Sequence, residues 1–220
     1  MLLHELAQPA RAAALTLDWP SWRSIREPEV RLEAALSLLS RYLSGFVHPG
    51  GLSERLDRLA EEFGRAHPRG EVHDLARFLF GAEGIHGAEQ DLPDHSCVVN
   101  AVEERRGLPI TLACVFILVG HRLGMDIAGC NFPGHFLAIA RTGGRIFLVD
   151  CFGGGRFFEE KDFGSDGPVQ IWNAMLGLEA GPEAIVARVL RNLDGVYSRT
   201  GRGREQALVR SLLATLPSDA

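Results

Sequence analysis

The sequence predicts an α+β fold: a buried helix packed on an antiparallel sheet, with further helices before and after that core. Three observations carry this. The run from Pro109 to about Leu123 is apolar on nearly every side, so a helix there has to sit centrally, covered all round. Beyond it the apolar period changes to that of strands, over Ile127–Phe132, His135–Arg141 and Arg145–Phe152, with Gly143-Gly144 as a hairpin signal between the last two. Amphipathic helical stripes occupy both flanks. Helix and antiparallel strands sharing one core is the layer arrangement of an α+β protein.

Taken in order, residues 2–17 form one or two helical pieces, interrupted at Pro9. Glu29 to Tyr42 is an amphipathic helix with Val30, Ala34, Leu38 and either Leu39 or Tyr42 on one face. Leu52 to Phe63 repeats the stripe through Leu52, Leu56, Leu59 and Phe63, and Pro68 follows as a stop. Glu71 to Phe80 turns Val72, Leu75, Phe78 and Leu79 inward. A loop at Asp91–Asp94 leads to a helix reaching about Arg105, with Asp94 or Ser96 as its cap. Gly107-Leu108-Pro109 is a turn that places proline in the first turn of the central helix, where a missing N–H does no harm. Gly124 closes that helix. The tail returns to helix over Pro182–Tyr197 and Gly203–Leu216, joined by SRTGRG. These changes of character divide the chain into a helical part at 1–84, an α+β core at 85–180 and a helical pair at 181–220.

Composition narrows the function classes. With 220 residues, 46% hydrophobic and 23% charged, the chain can build a real core. A net charge of −5 gives no electrostatic case for binding nucleic acid. The longest apolar run, 108–120, is too short to cross a bilayer and ends in His121-Arg122. His4 and Glu5 stand where a secretory signal needs its basic and apolar parts, so no leader is expected. Cys97, Cys114, Cys130 and Cys151 have no CxxC spacing and lie in apolar segments, which predicts reduced thiols and a cytoplasmic setting.

Two ionisable residues stand out. His135 in NFPGHFLAIA and Asp150 in IFLVDCF each sit alone among apolar neighbours. Burying either without a partner is costly, so the economical expectation is that they meet. A histidine held by a carboxylate is two-thirds of a nucleophilic site. A buried structural hydrogen bond would satisfy the same two groups equally well.

The ordered set Arg105-Arg106-Gly107-Leu108-Pro109-Ile110-Thr111-Leu112, Arg122-Leu123-Gly124, Pro133-Gly134-His135-Phe136 and Asp150-Cys151-Phe152 resembles the SirB1-like branch of the transglutaminase-like superfamily. The resemblance covers about residues 85–165. The tail, opening at Arg191-Asn192-Leu193, also looks like this branch, whose members often continue into tetratricopeptide-like helices. The resemblance implies a papain-like core with a Cys at the N-terminus of the central helix, a His on one strand and an Asp on the next. A helix N-terminus lowers a thiol pKa, and the His–Asp pair completes its activation. In this chain the family's Cys position falls at Pro109–Thr111, none of which is Cys, and Cys151 replaces the proline of the family's Asp-Pro-Phe. The resemblance therefore implies His135 and Asp150 as a retained catalytic dyad, with Thr111 at the nucleophile position.

Other candidates carry less. Cys114 lies one turn past Thr111 among Val115, Phe116, Ile117 and Leu118, a setting of core packing more than of activation. Cys97 opens the preceding helix, away from Gly107. Cys130, His135 and Cys151 match no zinc ribbon or finger, and alternation along the strand sends Asp150 and Cys151 to opposite faces. Gly153-Gly154-Gly155 lacks the Lys-Ser/Thr of a phosphate loop, and Glu103–Arg106 is a mixed-charge helix end. Trp19, Trp22 and Trp172 share no spacing. No metal or cofactor is called for. Two functions lead: a binding or scaffolding domain that has lost its nucleophile, or a cysteine-dependent amidase, protease or acyltransferase using a displaced thiol with His135 and Asp150. A small-molecule or metal sensor built on the old cleft is a third. The tail at 182–216 resembles one tetratricopeptide unit of about 34 residues, which cannot bury its own face. It is expected to pack on the domain, on a second copy or on a protein partner, with no nucleic acid and no membrane involved.

Overall fold

The computed structural model describes residues 2–44, 51–82, 84–163 and 169–217. Three helices open the chain: α1 (Leu2–Asp18), α2 (Pro28–Ser44) and α3 (Leu52–Ala66). Then come α4 (Val72–Arg77), which runs on as a wider turn over Phe78–Ala82, and α5 (Val98–Glu103). The central helix α6 is Pro109–Arg122. Every residue of it from Ile110 to Gly120 is buried, as an all-apolar circumference requires. Proline occupies its first turn, and Gly124 beyond its end takes φ +72°.

Two short strands, β1 (His86–Gly87) and β2 (Arg106–Gly107), pair in parallel just ahead of α6. The main sheet follows: β3 (Asp126–Cys130), β4 (Leu137–Thr142), β5 (Arg145–Asp150), β6 (Arg156–Phe158) and β7 (Glu179–Ala180). Its order is β6-β5-β4-β3-β7 and every pairing is antiparallel. Gly143 and Gly144 both take positive φ, as the tight β4–β5 turn requires. Alternation gives the sheet two apolar faces. Ala138, Ala140, Phe147 and Val149 join the main core with α6, whereas Leu137, Ile139 and Leu148 form an outer cluster under Trp172 and Met175 of α7 (Val169–Leu176).

The tail is α8 (Pro182–Arg199) and α9 (Gly203–Leu213). One continuous core runs from Leu15 and Trp19 through α6 to Leu190, Leu193 and Leu212, across the changes of sequence character at 84 and 180.

Several elements depart from expectation. The first helix runs through Pro9 unbroken; its packing on α2, through Ala12 and Leu15 in the core, outweighs the one hydrogen bond that proline removes. Val30 is 54% exposed, and the buried face of α2 is instead Leu32, Ala35, Leu36, Leu38, Leu39 and Tyr42. Neither Asp94 nor Ser96 caps α5 by its side chain. Cys97 is the capping residue, and a short turn over Pro93–Ser96 precedes it.

Candidate functional site

His135 is not on a strand. Pairing of β3 with β4 stops at Cys130 and Leu137, and Gly134, at φ +80°, turns the chain between them. The histidine therefore stands in the six-residue loop joining the two strands, free to lean towards the end of β5. Asp150 is the last residue of β5, and its Oδ1 lies 2.8 Å from His135 Nε2. An ionised carboxylate only accepts, so Nε2 carries the proton and donates it, leaving Nδ1 as the open ring nitrogen. The side chains keep 33% and 22% of their exposure, so the pair is reachable from solvent.

The residues just after Asp150 hold this pair. Gly153 N–H donates to the same Asp150 oxygen at 2.9 Å, and Gly155 N–H donates to the Asp150 carbonyl at 2.9 Å. Phe152 turns its ring edge-on to the imidazole at a centroid distance of 6.0 Å. The same ring lies over Gly87, where a Cβ would come within 2.5 Å of it. The glycines after Asp150 thus hold its carboxylate and its carbonyl. The available signal was an Asp followed three residues later by Gly, a local turn pattern.

Next to the dyad loop is a cleft of about 210 Å³, lined by Gly134 and Phe136 on one side, by Leu108, Pro109 and Ile110 at the start of α6, and by Arg188 and Asn192 of α8. Pro109, in the first turn of α6, thus borders the cleft. Thr111 faces elsewhere: it is fully buried and its hydroxyl donates to the His95 carbonyl at 2.9 Å. That same carbonyl accepts Leu108 N–H at 3.1 Å, which ties the turn ahead of α6 to the preceding segment. Arg188 and Asn192 bring the tail into this cleft; Arg188 also donates to Asn131 Oδ1 at 2.9 Å, bracing the dyad loop.

All four cysteines are free and buried. Cys114 is pushed up to about 12 by burial alone. Cys151 is raised by burial first, then by Asp150 and by Cys114, so these two thiols neighbour one another beneath the dyad. Cys130 is raised to about 11 by burial and donates to the Met175 carbonyl at 3.3 Å in the outer cluster. Cys97 is raised by burial and points at the Ser40 carbonyl. Burial thus favours the protonated form of each thiol at neutral pH, which works against nucleophilic attack. Cys130 and Cys151 lie in different apolar clusters, so the set Cys130, His135 and Cys151 is not gathered around one point.

What the geometry can do chemically is limited and definite. In its neutral form the imidazole, oriented by a carboxylate, keeps one ring nitrogen as an acceptor in the loop that borders the cleft. It can accept a proton or a hydrogen bond there.

Comparison with known proteins fits this arrangement. A UPF0162 protein of Xylella fastidiosa is 35% identical over 136 residues, 57% of this chain and 48% of that protein. A UPF0162 protein of Pseudomonas aeruginosa is 29% identical over 191 residues, 80% of this chain and 68% of that protein. One from Vibrio cholerae is 27% identical over 158 residues, 69% of this chain and 54% of that protein. The chain thus spans about half the length of the Xylella relative it matches. No solved structure matches. The model of the transglutaminase-like superfamily matches residues 51–191, a span taking in α3, the whole sheet, the dyad and half of α8, and the chain belongs to that superfamily.

Proposed function

We propose that this protein is a SirB1-like member of the superfamily that keeps the His135–Asp150 dyad without a thiol nucleophile and works by binding. One observation carries the reading: Pro109 stands at the helix start beside the dyad loop, while every cysteine is buried with a raised pKa, and Cys114 lies a turn deeper in the core. Thr111 does not replace the thiol, because its hydroxyl proton is already given to His95. In this reading the dyad is a positioning device that holds the loop 131–136 against the cleft, and the bound group is a peptide or amide segment lying across Pro109 and Gly134. The α8–α9 pair, tetratricopeptide-like in pattern, supplies Arg188 and Asn192 to the rim and offers the outer face of α9 to a protein partner or a second copy. A reduced, cytoplasmic setting is consistent with four free thiols.

The test is intact mass after incubation with an electrophilic amide-mimic probe. No adduct is expected on the native protein. Pro109→Cys, which places a thiol at the helix start beside the cleft, should gain a single adduct, formed more slowly when His135→Ala is added. An adduct on native Cys114 or Cys97 that disappears in His135→Ala would instead make the protein an active cysteine hydrolase or transferase.

A further inference from the structure

We infer that a groove between α1, α2 and α9, separate from the dyad, binds a small organic phosphate ester. The groove has a volume of about 700 Å³, within the usual range of small-molecule sites, and is lined by Gln8, Pro9 and Ala12 of α1, Tyr42 of α2, and Arg202, Arg204, Glu205 and Leu208 at and within α9.

Behind its wall stands an anomaly. Arg11 is only 8% exposed, yet among the described residues no carboxylate pairs with it. Its guanidinium gives one hydrogen bond, to Gln8 Oε1, and its Nε is buried with no acceptor. A guanidinium keeps its charge at any pH a protein meets, and a buried cation without a counter-charge is costly. Gln8 links this charge to the groove: its Oε1 accepts from Arg11 while its Nε2 donates to Tyr42 Oη at 3.3 Å. Arg11 thus acts on the groove through Gln8, as a positioning residue.

The open side carries two more cations. Arg202 is held flat, its Cζ 4.8 Å over the Tyr197 ring and its Nη2 2.8 Å from Glu205 Oε1. Arg204 is exposed and forms no ion pair among the described residues. Arg202 and Arg204 against Glu205 leave the lining with one positive charge, and Arg11 behind the wall adds a second. A phosphate monoester, carrying about −1.5 to −2 at neutral pH, matches that number, and two of its oxygens can accept the paired N–H groups of a planar guanidinium. Pro9, Ala12 and Leu208 provide an apolar wall for the organic part. Burial raises the phenols of Tyr42 and Tyr197, so both stay protonated and able to donate throughout the neutral range.

Calorimetric titration of the full chain with phenyl phosphate, inorganic phosphate and succinate at fixed chloride decides the matter. Phenyl phosphate should bind most tightly of the three and raise the unfolding temperature, since it binds only the folded state. Arg204→Met and Arg202→Met should each weaken it by about tenfold or more, the usual effect of one charged hydrogen bond. Arg11→Met should also weaken it while raising the stability of the ligand-free protein, because the unpaired charge is gone. His135→Ala should leave the affinity unchanged, which separates this groove from the dyad cleft. Absence of heat and of a thermal shift with phenyl phosphate, or equal affinity in Arg204→Met, overturns the site. Should Arg11→Met fail to fold, Arg204→Met, being exposed, still decides. Tighter binding of succinate overturns the phosphate-ester assignment.

Discussion

Gly153→Ala is a one-methyl test of how the dyad is held. Gly153 is not among the residues with left-handed backbone, so alanine meets no backbone strain there. The obstacle is the carboxylate. A Cβ at this position would lie 2.5 Å from Asp150 Oδ2 and 3.0 Å from its Cγ. Restoring ordinary contact moves the carboxylate by roughly 1 Å, which takes Oδ1 out of hydrogen-bond range of either His135 Nε2 or Gly153 N–H. Losing one bond to a charged group costs about 1.5–3 kcal/mol when buried. With side chains 33% and 22% exposed, solvent screening brings the expected loss to about 1–2 kcal/mol. Urea unfolding at neutral pH measures it, in a cycle with Asp150→Ala. Without the carboxylate the methyl loses its three nearest contacts, all of them Asp150 atoms, and Gly153→Ala should become neutral or stabilise by about 0.4–1 kcal/mol through the unfolded chain. Effects that add within about 0.5 kcal/mol would refute the argument, because then the glycine is not there to admit Asp150.

Further tests concern the thiols and the tail. Cys114 and Cys130 are raised to about 12 and about 11 from 9.0, so the folded state keeps protons that the unfolded thiols release. Their contribution to stability is present in full below pH 9 and is lost as pH rises through 11 to 12. Denaturation midpoints should therefore fall above pH 9, less steeply in Cys114→Ala; an unchanged slope in that variant would contradict the shift. Truncation after Gly181 removes Ile185, Val186, Leu190 and Leu193 from the main core and should give a protein without a cooperative unfolding transition. A soluble truncated chain with native near-UV circular dichroism would show instead that the tail is only a docking element.

The sequence by itself determined what depends on neighbours a few residues apart. The central helix follows from an unbroken apolar circumference with proline at one end and glycine at the other. The β4–β5 turn follows from two adjacent glycines, and the buried stripe of α3 from Leu52, Leu56, Leu59 and Phe63, all of which are covered. His135 and Asp150 were legible because one ionisable side chain in an apolar run needs a partner, and the two meet at 2.8 Å. Tertiary structure decided the rest. Which stripe of α2 turns inward, leaving Val30 in water, depends on where α8 and α5 lie. That helix α1 survives Pro9 depends on its packing, and that Arg188 and Asn192 reach the dyad cleft depends on the tail folding back beside the start of α6. Periodicity and turn chemistry are set by short stretches of backbone, whereas these outcomes are set by contacts between residues tens of positions apart, which no local pattern encodes.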